Sequence, residues 1–364
     1  ASAAAVAVVL LAFRRYLGKW GHIIGGILFL ISPFMLFYGR YTRNEGLIEL
    51  IGVLMLYATL RYLDRGDKFS LLLLTIAQAL NFTSKETAYI YMAQLLLFLA
   101  IIFIQDVIKE KWNSKDKKTS FLIVMSAAIV FILAGISMAY IHAKQNPVVE
   151  NGEAVAQGIQ GLVIFSNIAV ILAAALGIFG IFILIKNLGL PRIRHLRSFD
   201  LLILNVTLVL PLLTAFPIVM LGSLLKTNWT ATDYSSAGIL RTVASLIILL
   251  GITALLGWWW NFKQWIKNSS VFWLIFTVFY TTFFTWGTGF WTGLVGSLGY
   301  WLEQQAVNRG SQPLYYYALL QLPFYEYLAI LGFLIAVIYG LLKSKEASIP
   351  ALVPLSPIYD ENDE

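Results

Sequence analysis

Residues 161–185 read GLVIFSNIAVILAAALGIFGIFILI, a run of 25 residues without a single charged side chain. An α-helix rises about 1.5 Å per residue, so this run can cross the roughly 30 Å hydrocarbon core of a bilayer. In lipid the backbone has no water to bond, and a single segment satisfies its own polar groups only as a helix. The stretch therefore predicts a transmembrane helix.

The rest of the chain has the same character. Of its 364 residues 59% are hydrophobic and only 12% are charged, whereas a soluble domain carries about 25% charged residues. We therefore predict an all-α polytopic membrane protein with about eleven transmembrane helices. The predicted runs are residues 1–13, Gly21–Tyr38, Leu47–Tyr62, Phe69–Leu80, Thr87–Ile104, Ser120–Ile141, Gly161–Ile185, Leu201–Leu225, Gly238–Trp260, Val271–Trp286 and Leu314–Leu342.

The basic residues divide between alternate connections. One set of connections holds 19 lysines and arginines and the other set holds seven, which predicts that the richer set is cytoplasmic. A nucleic-acid partner is excluded, because its binding site would need basic residues clustered on one face. The seven residues of the poorer, outer set are Arg40, Arg43, Lys85, Lys144, Lys226, Arg241 and Arg309.

The two ends of the chain and the rare residue types add expectations. The chain opens ASAAAVAVVLL, and the alternation of sides leads us to expect a further helix and a first outer loop before it. We assign residues 1–343 to one transmembrane domain and residues 344–364, rich in proline and closing in acid, to a cytoplasmic linker or tail. The chain has no cysteine and three scattered histidines, which disfavours disulfides and metal sites built from these residues.

Two short outer connections concentrate charge. Residues 38–46 read YGRYTRNEG and residues 81–89 read NFTSKETAY, so Arg40, Arg43, Glu45, Lys85 and Glu86 lie between long apolar runs. Charge near membrane depth is costly and usually faces a cavity or a partner. These residues could instead neutralise one another in pairs or extend to the lipid headgroups. The alternatives stay open at this point.

A third polar segment follows residue 290. Leu294, Leu298 and Trp301 recur at helical spacing, which predicts an amphipathic helix in the outer interface that ends before Gly310. The segment also carries acidic, amide and basic groups beside tyrosines, a set suited to binding a sugar or an acceptor. These candidates are Glu303, Gln304, Arg309 and Tyr315.

Two of these segments carry a family resemblance. The run SPFMLFYGRYTRNEGLIELIGVLMLYATLRYL, residues 32–63, resembles the dolichyl-phosphate-mannose–protein mannosyltransferase superfamily, which has the GT-C fold. NFTSKETAYI, residues 81–90, resembles the lysine-bearing connection that follows in that superfamily. Residues 293–328, GLVGSLGYWLEQQAVNRGSQPLYYYALLQLPFYEYL, resemble more narrowly the flippase activity-associated family of GT-C-type proteins linked to protein glycosylation.

The resemblance implies a GT-C-like helix bundle that transfers a sugar from a polyprenyl-phosphate donor to a protein or lipid acceptor. It implies a site on the extracytoplasmic face of the cell membrane. Arg40, Arg43 and Lys85 would then bind the donor phosphate, with Glu45 and Glu86 as supporting acids. The superfamily's catalytic acid belongs to the first outer loop, so no residue of this chain is assigned as the catalytic base. A divalent cation at the phosphate is left open.

Two other function classes remain as alternatives. The protein could be a component of a lipid-linked glycan transporter or flippase, although no internal repeat of the kind that transporters show is evident. It could also be a non-catalytic accessory subunit of a larger membrane complex, partnered by other membrane subunits.

Overall fold

The computed structural model describes residues 1–40, 44–145, 160–225, 227, 229–304 and 316–343, and these contain helices and turns but no strand. The α-helices are α1 (Ser2–Ala12), α2 (Arg14–Ile31), α3 (Pro33–Tyr38), α4 (Glu45–Arg65), α5 (Lys68–Ser84), α6 (Ala88–Lys109), α7 (Lys115–Gln145), α8 (Gln160–Leu188), α9 (Leu190–Arg194), α10 (Arg197–Val209), α11 (Ala215–Leu224), α12 (Ser236–Tyr280), α13 (Gly289–Trp291), α14 (Ser297–Gln304), α15 (Leu322–Tyr325) and α16 (Tyr327–Lys343). One 3₁₀ turn, Leu210–Leu213, and two π-helical turns, Thr292–Gly296 and Tyr316–Gln321, interrupt them. The predicted all-α fold is confirmed, and it comes from the long apolar runs.

The chain forms two compact units. The described residues within 1–91, 270–276 and 310–364 form the first, and those within 92–269 and 277–309 form the second. Both units draw on separate parts of the chain, so neither corresponds to a continuous sequence segment. The predicted tail, residues 344–364, lies outside the described residues.

In the first unit α1 runs alongside α4 in the same direction. Ser2 contacts Glu49 near one end, with 3.0 Å between the hydroxyl and Oε2. The rings of Phe13 and Tyr57 lie 5.9 Å apart farther along the pair. Ala5, Val9, Phe13 and Val53 form a buried apolar cluster between these contacts. Apolar packing thus holds α1 against the helix that carries the predicted charged residues.

A tight hairpin joins α4 to α5. Gly66 ends α4 in the left-handed region at φ 73°, where glycine has no Cβ to clash, and its N–H bonds to the Tyr62 carbonyl. Asp67 then caps α5 by accepting from the Ser70 N–H. The 21 residues of α4 span about 30 Å, so α5 returns Lys85 to the level of Glu45.

The first unit therefore has two charged ends. We call one the Arg40 end, defined by Ser2, Arg40, Glu45 and Lys85, and the other the Arg15 end, defined by Arg14, Arg15, Arg61 and Arg65. Basic residues of the predicted outer set thus lie at one end of α4, and those of the predicted cytoplasmic set lie at the other end. This is the arrangement expected of a helix that spans a membrane.

In the second unit α7 and α8 form an antiparallel pair. The Ser166 hydroxyl donates to the Gly135 carbonyl at 2.8 Å, and a Cβ at Gly135 would lie only 3.2 Å from the Ser166 carbonyl oxygen. Glycine therefore permits the close approach of the two backbones. An apolar cluster covers the other end of the pair, and its buried members are Val107, Phe121, Leu184, Leu188, Ile193 and Phe199.

The number of spans differs from the prediction of about eleven. Five described helices are long and apolar enough to cross a membrane, and the number reaches seven if each of two bent pairs counts as one span. α1, with 11 residues, and α5, with 17, are shorter than the roughly 20 residues that a span needs. Gly21–Tyr38 is divided at Ser32, since Pro33 begins the separate helix α3.

Two other predicted spans lie in one long helix. α12 has 45 residues, far more than a bilayer requires, and its backbone breaks at Asn261 with φ −161° and ψ 97°. The Asn261 carboxamide oxygen accepts from the Gln264 N–H at 3.1 Å, which caps the second half of the helix. The break falls directly after the predicted end of the span Gly238–Trp260, where the polar stretch NFKQWIKNSS, residues 261–270, begins.

The predicted amphipathic helix is helical over part of its length. Leu294 and Leu298 are buried while Tyr300 is exposed, as the spacing requires, and α14 begins at Ser297. The predicted stop at Gly310 lies outside the described residues. The position of this helix relative to a membrane stays a prediction.

Candidate functional site

The start of α4 and the end of α5 hold an ion pair at the Arg40 end. Lys85 Nζ lies 2.7 Å from Glu45 Oε1, and the side chains are 33% and 13% exposed. The predicted supporting acid and the predicted phosphate-binding lysine are therefore in direct contact. Lys85 is therefore exposed enough to contact a ligand, while the carboxylate that holds it is largely shielded from solvent.

The backbone around this pair is fixed by hydrogen bonds. Lys85 follows the last residue of α5 in an extended conformation, and its N–H still bonds to the Asn81 carbonyl. Asn44, which precedes α4, donates its side-chain amide to the Ser84 carbonyl at 2.8 Å. These contacts tie together the two connections that the sequence singled out, so the lysine side chain starts from a held backbone.

The other predicted residues of this end differ in placement. Arg40 is exposed after the end of α3 and makes no ion pair or side-chain hydrogen bond within the part of the chain that the structure describes. Glu86 is also exposed, and Lys85 forms its ion pair with Glu45 rather than with Glu86. Arg43 lies outside the described residues. The structure thus brings Lys85 and Glu45 together and leaves Arg40 accessible.

Glu49 is a further acid of this end that sequence reasoning missed. It follows Glu45 by one helical turn, its Oε2 accepts from the Ser2 hydroxyl at 3.0 Å, and its Oε1 is buried without a hydrogen-bond donor among the described residues. Gly46 lets Ser2 approach, since a Cβ there would lie 3.0 Å from the serine hydroxyl oxygen. The i, i+4 spacing of the two glutamates was the available signal, because it places both on one helix face.

Another carboxylate of the first unit, that of Glu326, comes from a distant part of the sequence. Ser32, where α2 ends, donates to Glu326 at 2.9 Å and 3.2 Å from its two carboxylate oxygens. The same hydroxyl accepts from the Met35 N–H at 3.4 Å and so begins α3. Glu326 thus anchors the short helix that leads to Arg40.

The predicted sugar- or acceptor-binding residues are only partly placed. Glu303 and Gln304 belong to α14, but their side chains lie outside the described part, as do Arg309 and Tyr315 entirely. Their role stays a prediction. Within the described residues no group of three or more histidines and acids is arranged to hold a metal ion.

The arrangement at the Arg40 end suits an anionic oxygen ligand. An exposed arginine and a half-exposed lysine supply positive charge, and the lysine is held by a shielded carboxylate. Charge-assisted hydrogen bonds from such cations are the strong contacts of phosphate binding. Carboxylates beside them could orient the cations or contact hydroxyl groups of a ligand.

A comparison with known protein families finds a match that includes the Arg40 end. Residues 1–134 match the family of the dolichyl-phosphate-mannose-protein mannosyltransferases. The match supports the GT-C mannosyltransferase superfamily. It contains Arg40, Glu45, Glu49 and Lys85, so the charged end lies within the mannosyltransferase-like segment.

The match supports a membrane glycosyltransferase of the GT-C type. No curated protein and no solved structure matches the chain. The narrower resemblance of residues 293–328 lies beyond the matched segment and stays a prediction.

Proposed function

We propose that this protein is an integral-membrane glycosyltransferase that uses a sugar linked to a polyprenyl phosphate. The acceptor is a protein or a lipid, and the reaction takes place at the Arg40 end, on the extracytoplasmic face of the cell membrane. The mannosyltransferase-like segment supports the reaction class, and the poverty of basic residues in these connections supports the face.

The observation that carries the proposal is the contact between Lys85 and Glu45. A cation at the end of a helix hairpin could be left in the headgroup region, where water and lipid would solvate it. Instead a carboxylate that is only 13% exposed holds the ammonium at 2.7 Å. This contact limits the positions of the lysine and presents its remaining donors at one place, which is what phosphate binding requires.

The chemistry assigns distinct tasks to cations and acids. Transfer breaks the bond between the sugar's anomeric carbon and the phosphate oxygen and forms a bond to an acceptor oxygen or nitrogen. The bonding electrons remain on the departing polyprenyl phosphate, whose charge Lys85, Arg40 and Arg43 would stabilise. The acceptor's proton passes to a carboxylate, which the family resemblance places in the first outer loop.

The supporting acids act on the cations. Glu45 orients Lys85, while Glu86 is available to contact the sugar or the second cation. In this proposal Glu303, Gln304, Arg309 and Tyr315 contact the sugar or the acceptor.

Substitution of the cations tests the proposal. Arg40→Ala and Lys85→Ala should each reduce transfer of radiolabelled mannose from a polyprenyl phosphate in membranes by about 10²–10³-fold, the usual loss of one transition-state donor. Arg40→Lys should restore only part of the rate, because a point charge loses the two-pronged geometry. Lys68→Ala, an exposed lysine in the first turn of α5, is the matched control.

Membrane insertion and the unfolding temperature of each variant show whether a loss of transfer reflects misfolding. Full transfer by well-folded Arg40→Ala and Lys85→Ala would remove the assignment of the donor phosphate to this end.

A further inference from the structure

The Arg15 end of the first unit contains a cavity that the proposed reaction does not use. Its volume is about 490 Å³, which lies in the usual range of ligand-binding pockets. Charged and aromatic side chains from α2 and α4 line it, namely Arg14, Arg15, Tyr16, Tyr57, Arg61 and Arg65. Four arginines around one cavity repel one another unless something compensates their charge.

Two of the arginines have partners. Arg15 contacts both oxygens of Asp64, at 3.1 Å from Nη2 and 2.6 Å from Nε. Arg61 lies 3.4 Å from an Asp67 oxygen and also donates to the Tyr57 hydroxyl at 3.4 Å. These contacts fix the two side chains and neutralise their charge.

The other two arginines are uncompensated. Arg14 and Arg65 are exposed, and in the described part of the chain neither forms an ion pair. Both still line the same cavity, so it carries an excess of positive charge and free guanidinium donors. A guanidinium presents its N–H groups in a planar fork that matches the oxygens of a phosphate.

The walls of the cavity suit a ligand that is partly apolar. The rings of Tyr16 and Tyr57 meet edge to face with centroids 6.5 Å apart. Leu11 also lines the cavity and is 82% exposed, so an apolar surface continues from the arginines along α1. A freely soluble anion would not need that surface, whereas a lipid would cover it with an acyl chain.

We propose that this cavity binds the phosphate-bearing headgroup of an anionic membrane phospholipid. Arg14 and Arg65 bind the phosphate, the paired Arg15 and Arg61 complete the polar lining, and Leu11 contacts an acyl chain. Basic pockets between membrane helices are suited to such headgroups. The proposal is independent of the glycosyltransferase function, and its site lies at the opposite end of α4.

Lipid titration of the purified full-length protein tests the proposal. In neutral detergent micelles, dioleoyl phosphatidylglycerol should raise the unfolding temperature, while dioleoyl phosphatidylcholine should not, because its headgroup carries no net charge. In the Arg14→Gln/Arg65→Gln variant the half-saturating phosphatidylglycerol concentration should rise at least about tenfold, since two charge-assisted contacts are lost. Lys19→Gln, a neighbouring cation that does not line the cavity, should respond as the unsubstituted protein does.

A soluble probe separates the two sources of phosphate. Glycerol 1-phosphate carries the headgroup chemistry without acyl chains, and it should raise the unfolding temperature much less than the lipid. If it produces the full shift and phosphatidylglycerol adds nothing, the site binds a soluble phosphate ester and the lipid assignment is wrong. An equal shift with phosphatidylcholine, or an unchanged response of the double variant, would also overturn the proposal.

A second measurement requires no variant. Native mass spectrometry of the protein with an equal mixture of the two phospholipids should show selective retention of phosphatidylglycerol. Equal retention of the two lipids contradicts the proposal even if the double variant fails to fold.

Discussion

Exchanging the charges of Glu45 and Lys85 shows whether Lys85 takes part in sugar transfer or whether the two residues only neutralise each other. Glu45→Lys places two cations 40 residues apart in sequence at the 2.7 Å contact, and Lys85→Glu places two carboxylates there. Each single variant loses the attraction and gains a repulsion. The double variant Glu45→Lys/Lys85→Glu restores an ion pair with the opposite polarity.

The magnitude follows from the exposure of the two groups. An ion pair with an exposed lysine is screened by water, so its coupling is about 0.5–1 kcal/mol rather than the larger value of a fully buried pair. The carboxylate is only 13% exposed, so replacing its lysine partner by a second acid should destabilise the protein by about 1–3 kcal/mol. The double variant should recover most of that loss.

Thermal unfolding and mannose transfer, measured on the same membrane preparations, report the two effects separately. The rate of transfer by the double variant should remain about 10²–10³-fold below that of the unsubstituted protein, because a carboxylate occupies the position where the phosphate needs a cation. The control is the exchange Asp233→Arg/Arg241→Asp in the second unit, an ion pair with a more exposed carboxylate, and it should leave transfer unchanged. Recovery of transfer together with stability in the Glu45–Lys85 exchange would show that the pair only balances charge and that Lys85 does not bind the phosphate.

Two further predictions concern single carboxylates. Glu49→Gln keeps the side-chain shape but removes the negative charge beside Ser2, so the rate of sugar transfer should fall at least about tenfold while the unfolding temperature changes little. Glu110→Gln is the control. An unchanged transfer rate in Glu49→Gln would show that Glu49 only holds Ser2. The Ser235 N–H, the Ser235 hydroxyl and Arg241 lower the pKa of Asp233, so its contribution to stability should be complete above the ordinary aspartate pKa near 3.8 and be lost as the pH falls through the lowered value. Asp233→Asn should remove that part of the acid dependence of the unfolding temperature, and an identical acid profile would contradict it.

The sequence was sufficient for the fold class, and it singled out both residues of the Glu45–Lys85 contact without predicting that they pair. Long apolar runs have few structural solutions in lipid, so the helices followed from composition and length. Glu45 and Lys85 come from tight connections at the two open ends of one helix hairpin, and Gly66 supplies the turn that closes it.

Other features depend on contacts that no local pattern contains. Ser32 and Glu326 are separated by 294 residues, and no sequence signal indicated that they are hydrogen-bonded. Glu49 lay within a run predicted as Leu47–Tyr62, where a single acid did not change the apolar average.

The arginines of the Arg15 end show a different limit. The charge pattern explains Arg14 and Arg65 as residues of the cytoplasmic side and contains no signal of a shared cavity. Only packing of α2 beside α4 shows that they share one cavity with two paired arginines. Charge patterns predict sides of a membrane, whereas the shape of a binding site depends on how the helices pack.

Photocrosslinking of the donor shows whether the Arg40 end binds a polyprenyl-phosphate sugar. A polyprenyl-phosphate mannose with a diazirine close to the phosphate should label peptides that contain residues 39–45 and 84–89, and excess unlabelled donor should suppress the labelling. Lys85→Ala should reduce the labelling, whereas Lys68→Ala should not. Labelling only of other parts of the chain, or labelling that excess unlabelled donor does not suppress, would show that the Arg40 end does not bind the donor.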